Sequence, residues 1–222
     1  MRLLAIDTAL AACSAAVFDT ERGMVAHESV PMARGHAEAL IPMIARVMEA
    51  AQTPFADLDR IAVTVGPGSF TGLRVGVSAA RGIALAARRP AVGVITTMAL
   101  AAPYLAGGES LPVLVAIDAR NDMAYLQMFG ESGKTLLPAQ LSPLQSLAVL
   151  KLGPMHVVGS AARRAAALFA PERVASVNDT AAADIAWVAR IGAAAPADQP
   201  PKPYYLGAPG AKPQPSGRLL QK

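Results

Sequence analysis

The stretch V-G-P-G-S-F-T-G-L-R-V-G-V at residues 65–77 has the residue types of an anion-binding corner. Gly66 and Gly68 flank Pro67, Ser69 and Thr71 follow, and a run of small residues then opens a helix. Backbone N–H groups at such a helix start attract an anion, and Ser69 or Thr71 can cap it. A second feature has the same flavour. The strand R-L-L-A-I-D ends on Asp7 and turns tightly at Thr8. Such a turn presents N–H groups to a phosphate while the acid positions a metal or a water. Asp7, Thr8, Gly66, Gly68 and Ser69 are thus candidate phosphate-binding residues. The same residues also read as an ordinary hairpin beside a rigid, close-packed corner. The corner is not a Walker A loop, because no Lys follows its glycines, and its glycine spacing is not that of the dinucleotide fingerprint.

Other chemistries find little support. His27, His36 and His156 are scattered, and no two share metal-ligand spacing. There is no G-x-S-x-G elbow. No catalytic residue, metal site or bound cofactor is expected on these grounds. Cys13 is the single cysteine and lies between small apolar residues, as a buried strand cysteine does.

The elements that position these residues follow from period and punctuation. Strands are expected at residues 2–7, around 13–19, at 24–30 after the turn at Glu21-Arg22-Gly23, at 60–65 and at 91–95. Helices are expected over 36–52, where Leu40, Ile44, Val47, Met48 and Ala51 keep helical spacing, and over 71–88. Pro42 should kink or reset the first turn of the earlier helix. Thr96 or Thr97 can cap a further helix. Strands alternating with helices imply an α/β layer architecture.

A composition break at Gly107-Gly108 precedes a new strand, Pro112–Asp118. There the chain echoes itself. Leu4-Ala5-Ile6-Asp7 resembles Val115-Ala116-Ile117-Asp118, and Phe18 corresponds to Phe129. Both matches lie 111 residues apart, half of the 222-residue chain, which points to internal duplication. The second half is expected to hold short helices near 143–150, 161–169 and 181–193 and a strand at 155–158. The organisation expected is a first lobe over 1–108, a smaller lobe over 109–195 and a Pro-rich basic tail over 196–222.

Composition sets the class. The chain is 53% hydrophobic with a mean hydropathy of +0.37, much of it alanine. No apolar run reaches the ~18 residues of a membrane span. The N-terminus does not read as a signal peptide, because Asp7 interrupts its short apolar run. A cytoplasmic protein without membrane contact is expected. The net charge of +4 is concentrated in the tail, where Lys202, Lys212, Arg218 and Lys222 face only Asp198. The body lacks the basic stripe of a nucleic-acid binder.

Two helices suggest partner contacts. The 71–88 helix carries Gly72, Gly76, Ser78, Ala79, Ala80, Gly82 and Ala84. Each Gly costs about 1 kcal/mol relative to Ala in a helix interior. So many small residues imply a close neighbour, either the protein's own sheet or a partner helix. In the 36–52 helix, Leu40, Ile41, Met43, Ile44, Val47 and Met48 cover more than one stripe. That suits either a second, partner-facing contact or deep burial.

Three passages bear a family resemblance: L-A-I-D-T-A-L-A-A-C-S-A-A-V at 4–17, H-A-E-A-L-I-P-M-I at 36–44 and G-P-G-S-F-T-G-L-R-V-G at 66–76. With I-D-A-R at 117–120 and Y-Y-L at 204–206, they resemble the TsaB (YeaZ) family of the bacterial tRNA threonylcarbamoyladenosine machinery. The resemblance implies an α/β fold of the actin-like ATPase class, shared with sugar kinases and Hsp70 chaperones, with two related lobes. It implies a non-catalytic partner and activator of TsaD, the sister subunit that transfers threonylcarbamoyl to N6 of the adenosine beside the anticodon. TsaE, a small ATPase, would join the complex, so ATP enters at that level, and tRNA would be met indirectly. A homodimer through the same helices is plausible for the free chain. The implied partner surface comprises Leu40, Ile41, Met43, Ile44, Val47 and Met48 on the first helix. On the second it comprises Phe70, Gly72, Leu73, Val75, Gly76, Ala79, Ala80 and Ile83. The family's old glycoprotease label finds no support in these residues. One departure is Gly207 after Leu206, where the family often has Arg. The competing reading is an independent ATPase or small-molecule kinase of the same fold.

Overall fold

The structure is a computed structural model that describes residues 1–108, 110–150, 152–198 and 200–206. The first half runs β1 (Arg2–Asp7), β2 (Ala12–Asp19), β3 (Gly23–Pro31), α1 (His36–Ala50), β4 (Arg60–Gly66), α2 (Phe70–Ala87), β5 (Ala91–Ile95) and α3 (Thr96–Leu105). The second runs β6 (Val113–Asp118), β7 (Met123–Phe129), β8 (Thr135–Pro143), a 3₁₀ turn at Leu144–Val149, β9 (Met155–Val158), α4 (Ala162–Ala166), β10 (Val174–Asn178) and α5 (Ile185–Ala194).

Each half builds a five-stranded sheet, and the two sheets have one topology. The order is β3-β2-β1-β4-β5 in the first and β8-β7-β6-β9-β10 in the second. In both, the first three strands form an antiparallel meander and the last two run parallel to the first. Asp7 pairs with Ser14 as Asp118 pairs with Ala124. The four-letter echo in the sequence therefore marks a whole repeated unit, an α/β fold of two related halves.

The halves are locked by exchanging their last helices. α3 follows the first sheet yet packs on β6, and α5 follows the second sheet yet packs on β1 and β4. One core joins Leu3, Ala5 and Val94 of the first sheet to Val115, Ile117 and Phe129 of the second through Leu100 and Val188. Arg60 fastens the end of α5, its Nη1 donating to the carbonyls of Gly192 at 2.9 Å, Ala193 at 3.0 Å and Ala195 at 2.6 Å. The sequence grouped α5 with the smaller lobe, but its side chains lie on the first sheet.

Several local expectations change. Pro42 does not interrupt α1, which is continuous from His36 to Ala50. Pro42 is exposed, and the carbonyl it leaves unpaired, four residues back at Glu38, lies on the same outer side. Neither threonine caps α3. Ile95 holds the cap position, while Thr96 and Thr97 are buried in the first turn, Thr97 donating its hydroxyl to Gln127. The helix expected at 143–150 is a 3₁₀ turn, and that at 161–169 shortens to Ala162–Ala166. The helix expected at 181–193 starts only at Ile185, where the Asp184 carboxylate caps it by accepting from the Ala186 N–H at 2.8 Å. β8 and β10 were not expected. They are edge strands, where Pro138 and Pro143 are tolerated and a clean alternation is not required. Of the tail, residues 196–198 and 200–206 are irregular, as their prolines dictate; the remainder, with Gly207, lies outside the described residues.

Candidate functional site

The corner after β4 packs against the chain's own backbone. Ser69 donates its N–H to the Ala9 carbonyl at 2.7 Å, and the Thr8 hydroxyl donates to the Gly72 carbonyl at 2.7 Å. A side chain at Gly68 would strike the Ala9 carbonyl, and one at Gly72 the Thr8 carbonyl. One at Gly76 would strike the Thr8 hydroxyl. The small residues on this side of α2 thus serve close approach to the turn after β1, the own-sheet alternative raised by the sequence. Gly82, on the outer side, has nothing within 4 Å of where a Cβ would stand. Ser69, not Thr71, is the cap, its hydroxyl accepting from the Gly72 N–H at 3.3 Å. Gly66 has φ +118°, and a Cβ there would stand 2.6 Å from the Tyr204 carbonyl oxygen.

Asp7 is fully buried beneath this corner. Its Oδ1 accepts from the Ala9 N–H at 2.9 Å and from the Thr64 hydroxyl at 2.6 Å, while Oδ2 has no partner. Burial pushes its pKa above the ordinary carboxylate value, against the lowering pull of Thr64, Ala9 and His36. Cys13 is buried in β2, and burial pushes its thiol up to about 11, with the Asp7 and Glu28 charges adding to the shift. It is an inert core residue at neutral pH.

The repeated turn of the second half faces the corner across a cleft of about 590 Å³ lined by Ala9, Ser69, Phe70, Asp118, Arg120 and Ser160, among others. The two strand-end acids differ in state. Asp118 is exposed and accepts from Arg164 at 3.0 Å, and the same guanidinium reaches Asp122 at 2.7 Å. Residues 120–122 all adopt positive φ, so this turn is held by an ion pair rather than by glycine. Among the described residues no group of three or more His, Cys, Asp or Glu is placed to hold a metal.

The residues of the implied partner surface separate into two sets. Leu40, Met43, Ile44, Val47 and Met48 are buried in the chain's own core with Leu4, Ile6, Val63 and Val77. Gly72, Leu73, Gly76 and Ala80 are buried as well. This corrects the expectation for those nine, because their spacing is simply the inward stripe of each helix. The outer set is Ile41, 55% exposed, and Phe70, 38% exposed, joined by Val75, Ala79 and Ile83, which are half-buried along α2 and pack at the border of the same core.

Residues with no role assigned from the sequence complete the site. Thr64 is the one polar side chain of β4's buried run, next to the strand that carries Asp7, and that placement was the available signal. Arg74 and Tyr205 are the others. Tyr204 donates its N–H to Val65 at 2.7 Å, which lays residues 201–206 beside the corner and brings Tyr205 to Phe70. Nothing in the sequence places an irregular, Pro-rich segment against residue 65.

Comparison with known proteins agrees with this architecture. The family model described as TsaD, tRNA N6-adenosine threonylcarbamoyltransferase, matches residues 23–192. The chain is 39% identical over 125 residues to the tRNA threonylcarbamoyladenosine biosynthesis protein TsaB of Escherichia coli, covering 56% of this chain and 53% of that one. It thus spans about half the length of the curated TsaB relatives it matches. An uncharacterized protein of Mycobacterium bovis is 34% identical over 213 residues, 95% of this chain and 94% of its own length. The solved structure of YeaZ from Pseudomonas aeruginosa superposes with a TM-score of 0.77 at 25% identity, covering 92% of this chain and 99% of that one. The chain belongs to the family whose model is TsaD, tRNA N6-adenosine threonylcarbamoyltransferase, and its named relatives in sequence and structure are TsaB (YeaZ) proteins.

Proposed function

We propose that the chain is a non-catalytic partner and activator of a TsaD-type subunit, within the complex that places threonylcarbamoyl on N6 of the adenosine beside the tRNA anticodon. One observation carries the reading. The corner that could have cradled a phosphate is filled by the chain's own Thr8–Ala9 backbone, and the helix it launches leaves Phe70 exposed and Val75, Ala79 and Ile83 half-buried at the border of the core. The corner therefore acts as a rigid mount for α2. Residues 1–108 are the lobe that offers the partner face, 109–195 the smaller lobe, and a TsaE-like ATPase completes the assembly in the cytoplasm. tRNA is met through the complex.

The partner face proposed is the outer set, Ile41 on α1 with Phe70, Val75, Ala79 and Ile83 on α2. Ala80→Arg or Gly76→Leu is unsuited to test it, because both residues are buried against the chain's own sheet. Ile41→Arg should leave the fold intact and weaken co-purification with the TsaD-type partner at least about tenfold. Undiminished co-purification by that variant would place the partner elsewhere.

A second reading, an independent ATPase or kinase, draws on the cleft that brings the Asp7 turn, the 68–71 corner and Asp118 to one space. Nucleotide turnover by the isolated chain, lost in Asp118→Ala, would favour it.

A further inference from the structure

α2 begins under an aromatic–guanidinium stack that the last described residues assemble. The Arg74 guanidinium carbon lies 3.9 Å from the centre of the Phe70 ring. Its Nε donates to the Tyr205 hydroxyl at 3.2 Å, and the Phe70 and Tyr205 ring centres are 5.2 Å apart. Tyr205 is held in turn by its neighbours. Pro201 is buried beside Gly93, and Tyr204 is bonded to Val65. Arg74 is thus fixed by stacking on one side and by its Nε on another. Its two Nη groups make no hydrogen bond and no ion pair among the described residues. All three side chains are exposed, Phe70 by 38% and Tyr205 by 40%.

A guanidinium oriented in this way has little freedom left to lose on binding, and its free edge matches a carboxylate in two-point geometry. Tyr and Arg anchors in such settings dominate the energetics of protein interfaces. We infer that Phe70, Arg74 and Tyr205 form the anchor of the partner face and bind a surface Asp or Glu of the TsaD-type subunit. The inference rests on the partner reading above. Charge complementarity selects the occupant. Residues 207–222 contain no Asp or Glu, so none of them offers Arg74 a side-chain carboxylate. RNA is disfavoured because Arg74 is the one basic residue of α2's first two turns, whereas a phosphate backbone calls for several in a row. The half-buried Val75 follows Arg74 directly on the same helix, so a protein surface covering the stack reaches it too.

The test is calorimetric titration of the full chain against the TsaD-type subunit at low and high salt. Arg74→Gln should weaken binding at least about tenfold and flatten its salt dependence. Arg74→Lys, which keeps charge but not the fork, should recover only part of the loss. Tyr205→Phe keeps the ring, removes the Nε acceptor and should weaken binding about threefold. All three should melt with the wild type, since none of these side chains belongs to the core. Wild-type affinity and salt dependence in Arg74→Gln would overturn this inference alone. If the unaltered chain fails to bind the subunit, the partner reading falls and this inference with it. If the isolated chain binds tRNA, and Arg74→Gln abolishes that while binding the subunit normally, the anchor belongs to RNA and the carboxylate assignment is wrong.

Discussion

Asp7 has two bonds on Oδ1 and none on Oδ2, in a site sealed from solvent. A buried carboxylate so placed disfavours its own ionisation, hence the raised pKa. The sign follows from linkage. Its protonated form is favoured on folding, so the associated stability is present below the ordinary carboxylate pKa and is lost as pH rises through the raised value. Asp7→Asn keeps the Oδ1 acceptor and removes the charge. It should stabilise the chain at pH 8 by about 1 kcal/mol or more, raising the melting temperature by about 2–4 °C. The gain should shrink toward pH 4. Glu28, bonded to Arg46, and Asp19, bonded to the Glu21 N–H, shift the opposite way, so the difference between variant and wild-type melts isolates Asp7. A destabilised Asp7→Asn at pH 8 would mean that the ionised carboxylate has a partner it must hold.

At the scale of the element, α2 has one side built for contact and one without it. Gly72→Ala should cost about 1–3 kcal/mol or more, because the new methyl meets the Thr8 carbonyl. Gly82→Ala, in the same helix with open space around it, should gain about 1 kcal/mol from helix propensity. Denaturant midpoints of the two variants check this pair of opposite signs. The sequence made α2 legible as a close-packing helix because glycine is costly there, but it did not say which side each glycine serves. In the same way α1's Leu40, Met43, Ile44, Val47 and Met48 were legible as an apolar stripe, and only packing shows the stripe turned inward. β8 and β10 were illegible for a different reason. An edge strand pairs on one side only, so its sequence is free to carry prolines and polar residues. Tyr205 was hidden because its place depends on a contact between residues 65 and 204, for which no local pattern exists.

At the scale of the whole molecule, the repeat was visible in four letters and a spacing, and the structure extends it to two sheets of the same strand order. The exchange of α3 and α5 was not visible, because periodicity marks which side of a helix is apolar but not which sheet receives it. That exchange joins the two halves in one core, so the chain should unfold in a single transition, with Leu100→Ala costing about 2–5 kcal/mol and lowering one common midpoint. Two separate transitions would show the halves to be independent. A rigid body of this kind suits a mount for a partner face. In the proposed role the chain acts through another subunit. The most telling experiment measures threonylcarbamoyl transfer to tRNA by the TsaD-type subunit, with its TsaE-type partner and a supply of the threonylcarbamoyl donor, in the presence and absence of this chain. Transfer should require the chain while the chain alone transfers nothing; equal transfer without it would overturn the proposed role.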